Sequence, residues 1–179
     1  SYGGLLLEET PAEGDPDEVA RVLTGALTDR WPKPFPDDEP LRQYAARVDF
    51  LRRLGVEAEF PDLPGAGFQD FLQSICRGKR SFAEIARSSL ERYVDEALEP
   101  AQQSRLDRLA PERIPIGSGR RVAVNYEVGA APWIGARLQE FFGTARTPAL
   151  ADGKVPLVVH LQAPSGRALQ VTTDLAGFW

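Results

Sequence analysis

The amino-acid sequence predicts an α+β protein, with an N-terminal α-helical array followed by a small subdomain built on an antiparallel sheet. Up to Ala110, apolar residues recur at the three- to four-residue spacing of helices that bury one face. From Pro111 onward, apolar and polar residues alternate, which is the period of strands. We therefore expect three parts. Residues 1–13 are the end strand of a preceding domain with a linker, residues 14–110 form the helical subdomain, and residues 111–179 form the α+β subdomain.

The first two helices are predicted from apolar stripes and from the residues that begin and end them. Asp15 or Asp17 is placed to cap the first helix, which ends near Arg30. The proline-rich stretch WPKPFPDDEP cannot be helical and separates it from the second. Gly55 is a natural end for that second helix, because glycine adopts the left-handed backbone of a helix terminus without strain.

Three further helices are predicted before the change of period. The third covers residues 68–76 and ends at Gly78. Ser81 caps a fourth, whose apolar stripe over residues 82–98 fits either one helix or two. A last short helix carries Leu106 and Leu109. Short loops between these helices are typical of an α-helical array.

The remaining sequence predicts two hairpins and one main helix. The glycine-rich turn GSG joins a strand over residues 114–116 to one over 122–126. The stretch PWIGARLQEFFG, residues 132–143, is predicted as the helix. A strand over 155–161 turns at APSGRA and pairs with a returning strand at 169–171. Together these elements predict one antiparallel sheet with one helix.

The net charge of −5 is divided unevenly along the chain. The residues up to Ala110 include 14 basic and 21 acidic side chains, whereas those from Pro111 include 7 basic and 5 acidic ones. The second part therefore permits contact with a polyanion, although its net charge of +2 is far below that of a dedicated nucleic-acid-binding domain. No apolar run approaches the ~20 residues of a membrane span, and no signal peptide is visible. We expect a soluble, cytoplasmic protein without a membrane partner.

A single cysteine and a single histidine limit the chemistry that the chain can perform. Zinc needs three or four nitrogen or sulfur ligands, so no metal site is expected, and Cys76 on an apolar stripe is interpreted as core. His160 alternates with Val159 and Leu161, which predicts a sheet histidine on the less buried face. A nucleophile and base pair is not visible. The stretch ICRGKRS lacks the first glycine and the hydroxyl residue of a phosphate-binding loop. We expect no catalytic residue.

Five basic residues are candidates for contact with nucleic-acid phosphates: three lie at or beside glycine-bearing turns, one precedes a strand, and one flanks the predicted helix. Guanidinium groups next to exposed glycine backbone suit phosphate oxygens. A few scattered arginines are also normal on any protein surface, so this set is a hypothesis. The candidates are Arg120, Arg121, Arg137, Lys154 and Arg167.

The second part resembles a known family. The segments GSGRRVAVNYE, ARLQEFFG and GKVPLVVHLQAPSGRALQVTTDLAGFW resemble the C-terminal signature of the bacterial HrpB family of DEAH-box ATP-dependent helicases. The earlier segments YGGLLLEE and AARVDFLRRL resemble the stretch that leads into it, so the similarity covers nearly the whole chain. Gly117 departs from the pattern, which has proline there. The residues that fit it are Arg137, Gln139, Phe142, Gly143, Pro148, Val155, Pro156, Gly166, Gln170, Asp174, Phe178 and Trp179.

The resemblance implies that the motor lies elsewhere in a longer chain. In that family, ATP and Mg²⁺ belong to two RecA-like domains that precede this region, and no cofactor is expected here. An oligonucleotide-binding-like domain would precede this region, and the strand over residues 1–9 would be its last strand. Because the sequence starts without methionine and stops where Asp174 caps a helix, we expect both ends to be cut.

These observations predict a non-catalytic accessory region of an ATP-dependent RNA helicase. Its partners would be the RecA-like core and the oligonucleotide-binding-like domain of the same chain, with single-stranded RNA or DNA as a further candidate. The alternative is a protein-interaction module that docks a partner without binding nucleic acid, which the acidic balance before Pro111 favours. No catalytic site is visible in the chain itself, and the resemblance implies that the parent chain is an ATP-dependent helicase, which is a nucleoside-triphosphate hydrolase.

Overall fold

The computed structural model describes residues 14–56, 60–142, 144, 146–163 and 168–177. The strand predicted over residues 1–9, most of the APSGRA turn and the terminal Trp179 lie outside these described residues.

Up to Ala110, helices are found where the helical period predicted them. The stripe over residues 82–98 is divided into two helices, which is one of the two predicted outcomes. The helices are α1 (Pro16–Arg30), α2 (Glu39–Arg53), α3 (Phe68–Cys76), α4 (Phe82–Ile85), α5 (Leu90–Glu96) and α6 (Pro100–Leu109).

Glycines with left-handed backbone follow two of the helices, as predicted. Gly55 follows α2 with a φ of 71°, and its N–H donates to the Arg52 carbonyl at 3.0 Å. The N–H of Val56 donates to the Leu51 carbonyl at 3.1 Å. These two bonds make a Schellman motif, which satisfies carbonyls that the helix leaves unpaired. Gly78, after α3, also has a φ of 71°.

Serine side chains cap two of the short helices. The Oγ atom of Ser81 accepts from the N–H of Glu84 at 3.2 Å, and that of Ser89 accepts from Arg92 at 3.3 Å. Asp15 occupies the predicted N-cap position of α1, but its side chain makes no capping hydrogen bond. The start of α1 depends instead on Pro16, whose fixed φ suits a first helical position.

The strands of the described residues form two sheets, and the α+β class is confirmed. One sheet has the order β1-β2-β3-β6-β7, and the other pairs β4 with β5. Strands β3 and β6 are parallel, so the larger sheet is mixed and not wholly antiparallel as predicted. The strands are β1 (Arg113–Pro115), β2 (Arg121–Asn125), β3 (Trp133–Arg137), β4 (Ala149–Leu150), β5 (Val155–Pro156), β6 (Val158–Gln162) and β7 (Ala168–Thr172).

The helix predicted over residues 132–143 is wrong. Its first half is β3, and its second half contains a short 3-10 helix, Leu138–Phe141. Ile134 and Phe141 stand at helical spacing, but Ile134 also alternates with less buried neighbours, so the local pattern fits both structures. Gly135 weakens a helix at this point. Pairing with β2 on one side and β6 on the other selects the strand.

Packing divides the described residues into two compact units, each with its own core. The first unit takes the chain up to Arg42 and Pro61–Leu98; the second takes Gln43–Phe60 and the chain from Glu99. The domain boundaries drawn from the sequence stay predictions. Large, fully buried side chains of the first unit are Leu27, Leu72, Ile75 and Ile85, and those of the second are Leu51, Leu106, Ile134, Phe141, Leu157, Val159, Leu161 and Leu175.

Cys76 belongs to the first core, as predicted, and is fully buried. Burial raises the pKa of its thiol, and a hydrogen bond with Thr24 opposes the rise. The thiolate is the reactive form of cysteine, so a buried thiol with a raised pKa is chemically inert.

A buried arginine connects the helices of the second unit to the start of its sheet. Arg47 of α2 is only 5% exposed. Its Nε donates to the carbonyl of Ala110 at 2.7 Å, just after α6. Its Nη2 donates to Asp107 at 2.7 Å and its Nη1 to Glu112 at 3.0 Å, next to β1. Because all three nitrogens are hydrogen-bonded, the cost of burying the charge is offset.

The end of α2 holds the loop between β2 and β3. The carboxylate of Asp49 accepts from the N–H of Gly129 at 3.0 Å and from the Nε of Arg53 at 3.0 Å. Arg53 also donates to the carbonyl of Ala130 at 2.6 Å. Two side chains of one helix turn therefore fix the position from which β3 begins.

Tyr126, directly after β2, connects that strand to the segment before β1. Its hydroxyl donates to the carbonyl of Pro111 at 2.8 Å, and its ring lies 5.9 Å from the Phe50 ring of α2. Burial raises the pKa of the Tyr126 phenol, which keeps the hydroxyl protonated and able to donate.

We expect opposite effects from alanine at two glycines of the first unit. Neither Gly25 nor Gly78 has an atom within 4 Å of the place where a Cβ would stand. Gly25 lies inside α1, so Gly25→Ala should stabilise by roughly 0.5–1 kcal/mol. Gly78 has positive φ, so Gly78→Ala should destabilise by about 1–2 kcal/mol. Urea unfolding measures both, and equal effects would contradict the assigned backbone.

The Arg47 contacts predict a graded loss of stability. Arg47→Met removes the donor to the buried Ala110 carbonyl and should cost about 2 kcal/mol. Asp107→Asn should cost less than about 1 kcal/mol, because the Asp107 side chain is 62% exposed and water replaces its partner. Chemical unfolding of the two variants measures the difference, and a costlier Asp107→Asn would refute this assignment.

Candidate nucleic-acid interface

One face of the five-stranded sheet is buried, and the opposite face is partly exposed. The buried face carries Ile114, Val122, Val124, Ile134, Ala136, Val159 and Leu161. Strand alternation and cross-strand register place a second set of residues together on the other side. This set, which we call the open face, is Arg113, Arg121, Asn125, Trp133, Gly135, Arg137, His160, Gln162 and Val171.

The open face carries positive charge and no carboxylate. The five strands contain three arginines, Arg113, Arg121 and Arg137, and no Asp or Glu. Arg113 and Arg121 each donate a guanidinium hydrogen bond to the other's carbonyl at 2.9 Å, which orients both side chains across β1 and β2. Among the described residues, no carboxylate forms an ion pair with Arg121 or Arg137. The charge of these two groups is therefore available to an anion.

Three of the five predicted contact residues meet at one end of this sheet. Arg120 precedes β2, Arg121 begins it, and Arg137 ends the antiparallel neighbour β3. Arg137 pairs in register with Gln162 of β6. All three arginines are exposed. The fold thus brings together basic residues that stand 16 or 17 positions apart in the sequence.

Arg120 differs from the other two because it has an acidic partner. Its guanidinium forms an ion pair with Glu140, whose side chain is only 15% exposed. The carbonyl of Glu140 also accepts from the N–H of Ser118 at 3.2 Å. These contacts hold the β1–β2 turn against the 3-10 helix, and they offset part of the charge of Arg120.

The other two predicted residues do not join this group in the described structure. Lys154 is exposed in the turn between β4 and β5, which form the separate sheet. That turn has left-handed backbone at Ala151, Asp152 and Gly153, and Asp152 pairs with Arg108 at 3.2 Å. Arg167 lies outside the described residues.

A stacked pair of rings on the open face is a feature that the sequence analysis missed. The rings of Trp133 and His160 lie 4.4 Å apart between centroids, with an angle of 12° between their planes. Trp133 was assigned to a helix and His160 to an unconnected strand, so only the parallel pairing of β3 with β6 brings them together. His160 does lie on the less buried face, as predicted.

The described residues contain no group of three or more His, Cys, Asp or Glu side chains that could hold a metal ion. In the same part of the chain, no helix is both long and apolar enough to cross a membrane. The ICRGKRS stretch is the end of α3 and a turn at Gly78, as expected from its poor match to a phosphate-binding loop.

Comparison with known proteins assigns the chain to a class. Residues 71–179 match the profile HrpB_C, described as ATP-dependent helicase C-terminal. The chain is also 42% identical over 182 aligned residues to the ATP-dependent RNA helicase HrpB of Escherichia coli strain K12, with 99% of this chain aligned. The chain therefore belongs to the HrpB_C family, and the resemblance inferred from its motifs is confirmed.

Solved structures agree with this assignment. The crystal structure of the E. coli DExH-box NTPase HrpB superposes with a TM-score of 0.78 and 27% identity over 94% of this chain. A crystal structure of the Escherichia coli DEAH/RHA helicase HrpB gives a TM-score of 0.74 and 26% identity over 94% of this chain. The chain spans only about a fifth of these relatives, namely 21% and 22% of their lengths.

The structure explains the glycine that departs from the family pattern. A Cβ atom at Gly117 would stand 2.0 Å from the Oγ1 atom of Thr144. A larger residue at 117 would require the Thr144 side chain to move, so glycine at this position permits the close approach of Thr144 to the β1–β2 turn.

The ring stack predicts a measurable contribution to stability. His160→Ala should destabilise by about 0.5–1.5 kcal/mol, because the alanine loses the contact with the Trp133 ring. The variant should still fold, since His160 is only partly buried. Urea unfolding and near-ultraviolet circular dichroism measure the change. A variant with unaltered stability and an unaltered tryptophan signal would contradict the stack.

Proposed function

We propose that this chain is a non-catalytic accessory region of an ATP-dependent helicase, which supports the motor and contacts the nucleic-acid backbone. Arg120, Arg121, Arg137, Lys154 and Arg167 are its candidate phosphate contacts. The observation that carries the proposal is the meeting of Arg121 and Arg137 at one end of a sheet without carboxylates. Basic side chains that have no acidic partner are suited to phosphate oxygens.

The proposed division of labour follows from the resemblance to the helicase family. We place ATP and Mg²⁺ in RecA-like domains elsewhere in a longer polypeptide, as that resemblance implies. The 22% share of the E. coli relative that the chain covers supports such a division. The chain alone should then show no ATP hydrolysis above background.

The role of the arginines predicts a specific dependence on salt. Affinity for single-stranded RNA should fall as salt rises, with a slope of about −0.7 per neutralised phosphate. Arg121→Ala and Arg137→Ala should each make the slope shallower by about 0.7. Arg120→Ala should have a smaller effect, because Glu140 already offsets its charge. Fluorescence anisotropy over a salt series gives the slopes.

Arg87→Ala is the matched control, since Arg87 is exposed and belongs to the first unit. Its slope should equal that of the unchanged chain. A salt-insensitive affinity, or equal losses in all four variants, would refute direct backbone contact by the open face.

A second candidate function is the docking of a partner protein. An open cavity of about 660 Å³ in the first unit favours it, because its lining combines apolar rings with two basic side chains. Its lining residues are Arg30, Lys33, Pro34, Phe35, Pro36 and Phe82. The test is a pull-down in which a protein partner is still captured after nuclease treatment. If Phe82→Ala abolishes that capture and leaves RNA affinity unchanged, this candidate replaces the first.

A further inference from the structure

The ring stack lies on the open face of the sheet and is not part of the hydrophobic core. Trp133 and His160 belong to neighbouring strands and point away from the buried face that Ile134 and Val159 line. Both rings are partly exposed. A tryptophan that served only packing would gain more from the buried side, because hydrophobic stabilisation scales with the area removed from water.

The residues beside the two stacked rings are a glycine and two residues with amide side chains. Gly135, between Trp133 and Arg137 on β3, has no side chain, so the Trp133 ring and the Gln162 amide lie close to the backbone there. A Cβ there would stand 3.5 Å from Cζ3 of Trp133 and 3.0 Å from the amide nitrogen of Gln162. The amide of Asn125 donates to the Trp133 carbonyl at 3.3 Å. Two amide side chains therefore border the stacked rings.

Arginines stand at a short distance along the same face. Arg137 follows Trp133 by four residues, which corresponds to roughly 13 Å along a strand. Arg121 lies at the same end of the sheet as Arg137. The open face therefore combines planar rings, amide donors and acceptors, and guanidinium groups that have no carboxylate partner on its strands.

We propose that Trp133 and His160 form a base-stacking site for single-stranded nucleic acid. An unpaired base extends the stack on a ring face that the pair itself leaves uncovered, Gln162 and Asn125 border the base edge, and Arg121 with Arg137 bind the adjoining phosphates. Stacking on aromatic side chains tolerates any base, because every base has a π-face. The site therefore takes unpaired strands of varied sequence and excludes bases that are held in a duplex. This inference rests on the proposed backbone contact and adds to it a site for the bases.

An abasic oligonucleotide distinguishes base stacking from contact with the backbone phosphates. It carries the same phosphates as an oligothymidylate of equal length, about 12 nucleotides, but has no ring to stack. If the site exists, the chain should bind the oligothymidylate at least about 5-fold more tightly than the abasic strand. His160→Ala and Trp133→Phe should both reduce this ratio. The affinity for the abasic strand should not change in either variant.

Trp31→Phe is the matched control, because Trp31 lies in the first unit and keeps an aromatic ring in the variant. It should leave the ratio unchanged. A ratio of one with measurable, salt-sensitive binding overturns the stacking site and leaves the backbone contact in place. Absence of binding to both strands overturns both proposals. Equal binding to duplex and single strands also overturns the stacking site, since paired bases are not accessible.

Discussion

The second unit depends on the burial of one positive charge. Arg47 stands on α2 with 5% exposure, and an isolated guanidinium in that position would be costly. Its three hydrogen bonds go to a carboxylate of α6, to the carbonyl that follows α6, and to a carboxylate beside β1. The Ala110 carbonyl belongs to a fully buried residue, so its bond to Arg47 fixes where α6 ends relative to α2, while the two exposed carboxylates contribute less.

The consequences reach the open face through α2. Helix α2 contacts the chain at two places before β3. Arg47 binds next to the start of β1, and Asp49 with Arg53 binds the loop between β2 and β3. Strand β3 lies between β2 and β6, and its parallel register with β6 brings Trp133 beside His160. The contacts of α2 hold the loop from which β3 begins, and strand pairing determines the rest.

The helices could be predicted from the sequence because their signals are local. Apolar spacing, Gly55, Gly78 and Ser81 each act within one or two turns of the chain, and the structure agrees at all three positions. The role of Arg47 was missed, although it stands three residues after Tyr44 and four before Leu51, on the apolar side of α2. A charged residue on the apolar stripe of a helix predicts a buried ion pair, and helical spacing alone identifies such a residue.

The sheet was harder to predict because its decisive contacts are non-local. The segment that forms β3 satisfies two periodicities at once, and hydrogen bonds to β6, which follows more than 20 residues later, select between them. Arg120 and Arg121 were placed beside one glycine-bearing turn, but Arg137 was assigned to the flank of a helix, and only the pairing of β2 with β3 brings it to them. Their contact with nucleic acid stays a prediction. The ring stack could not be predicted, because only the parallel register of β3 with β6 brings Trp133 and His160 together.

The most direct test of this account is the nuclear magnetic resonance spectrum of the ¹⁵N-labelled chain, titrated with oligothymidylate. The account predicts that the indole N–H of Trp133 and the amide signals of Gly135 and Gln162 shift together, while the indole of Trp31 stays in place. Shifts confined to the first unit, or saturation without any movement of the Trp133 indole, would contradict it.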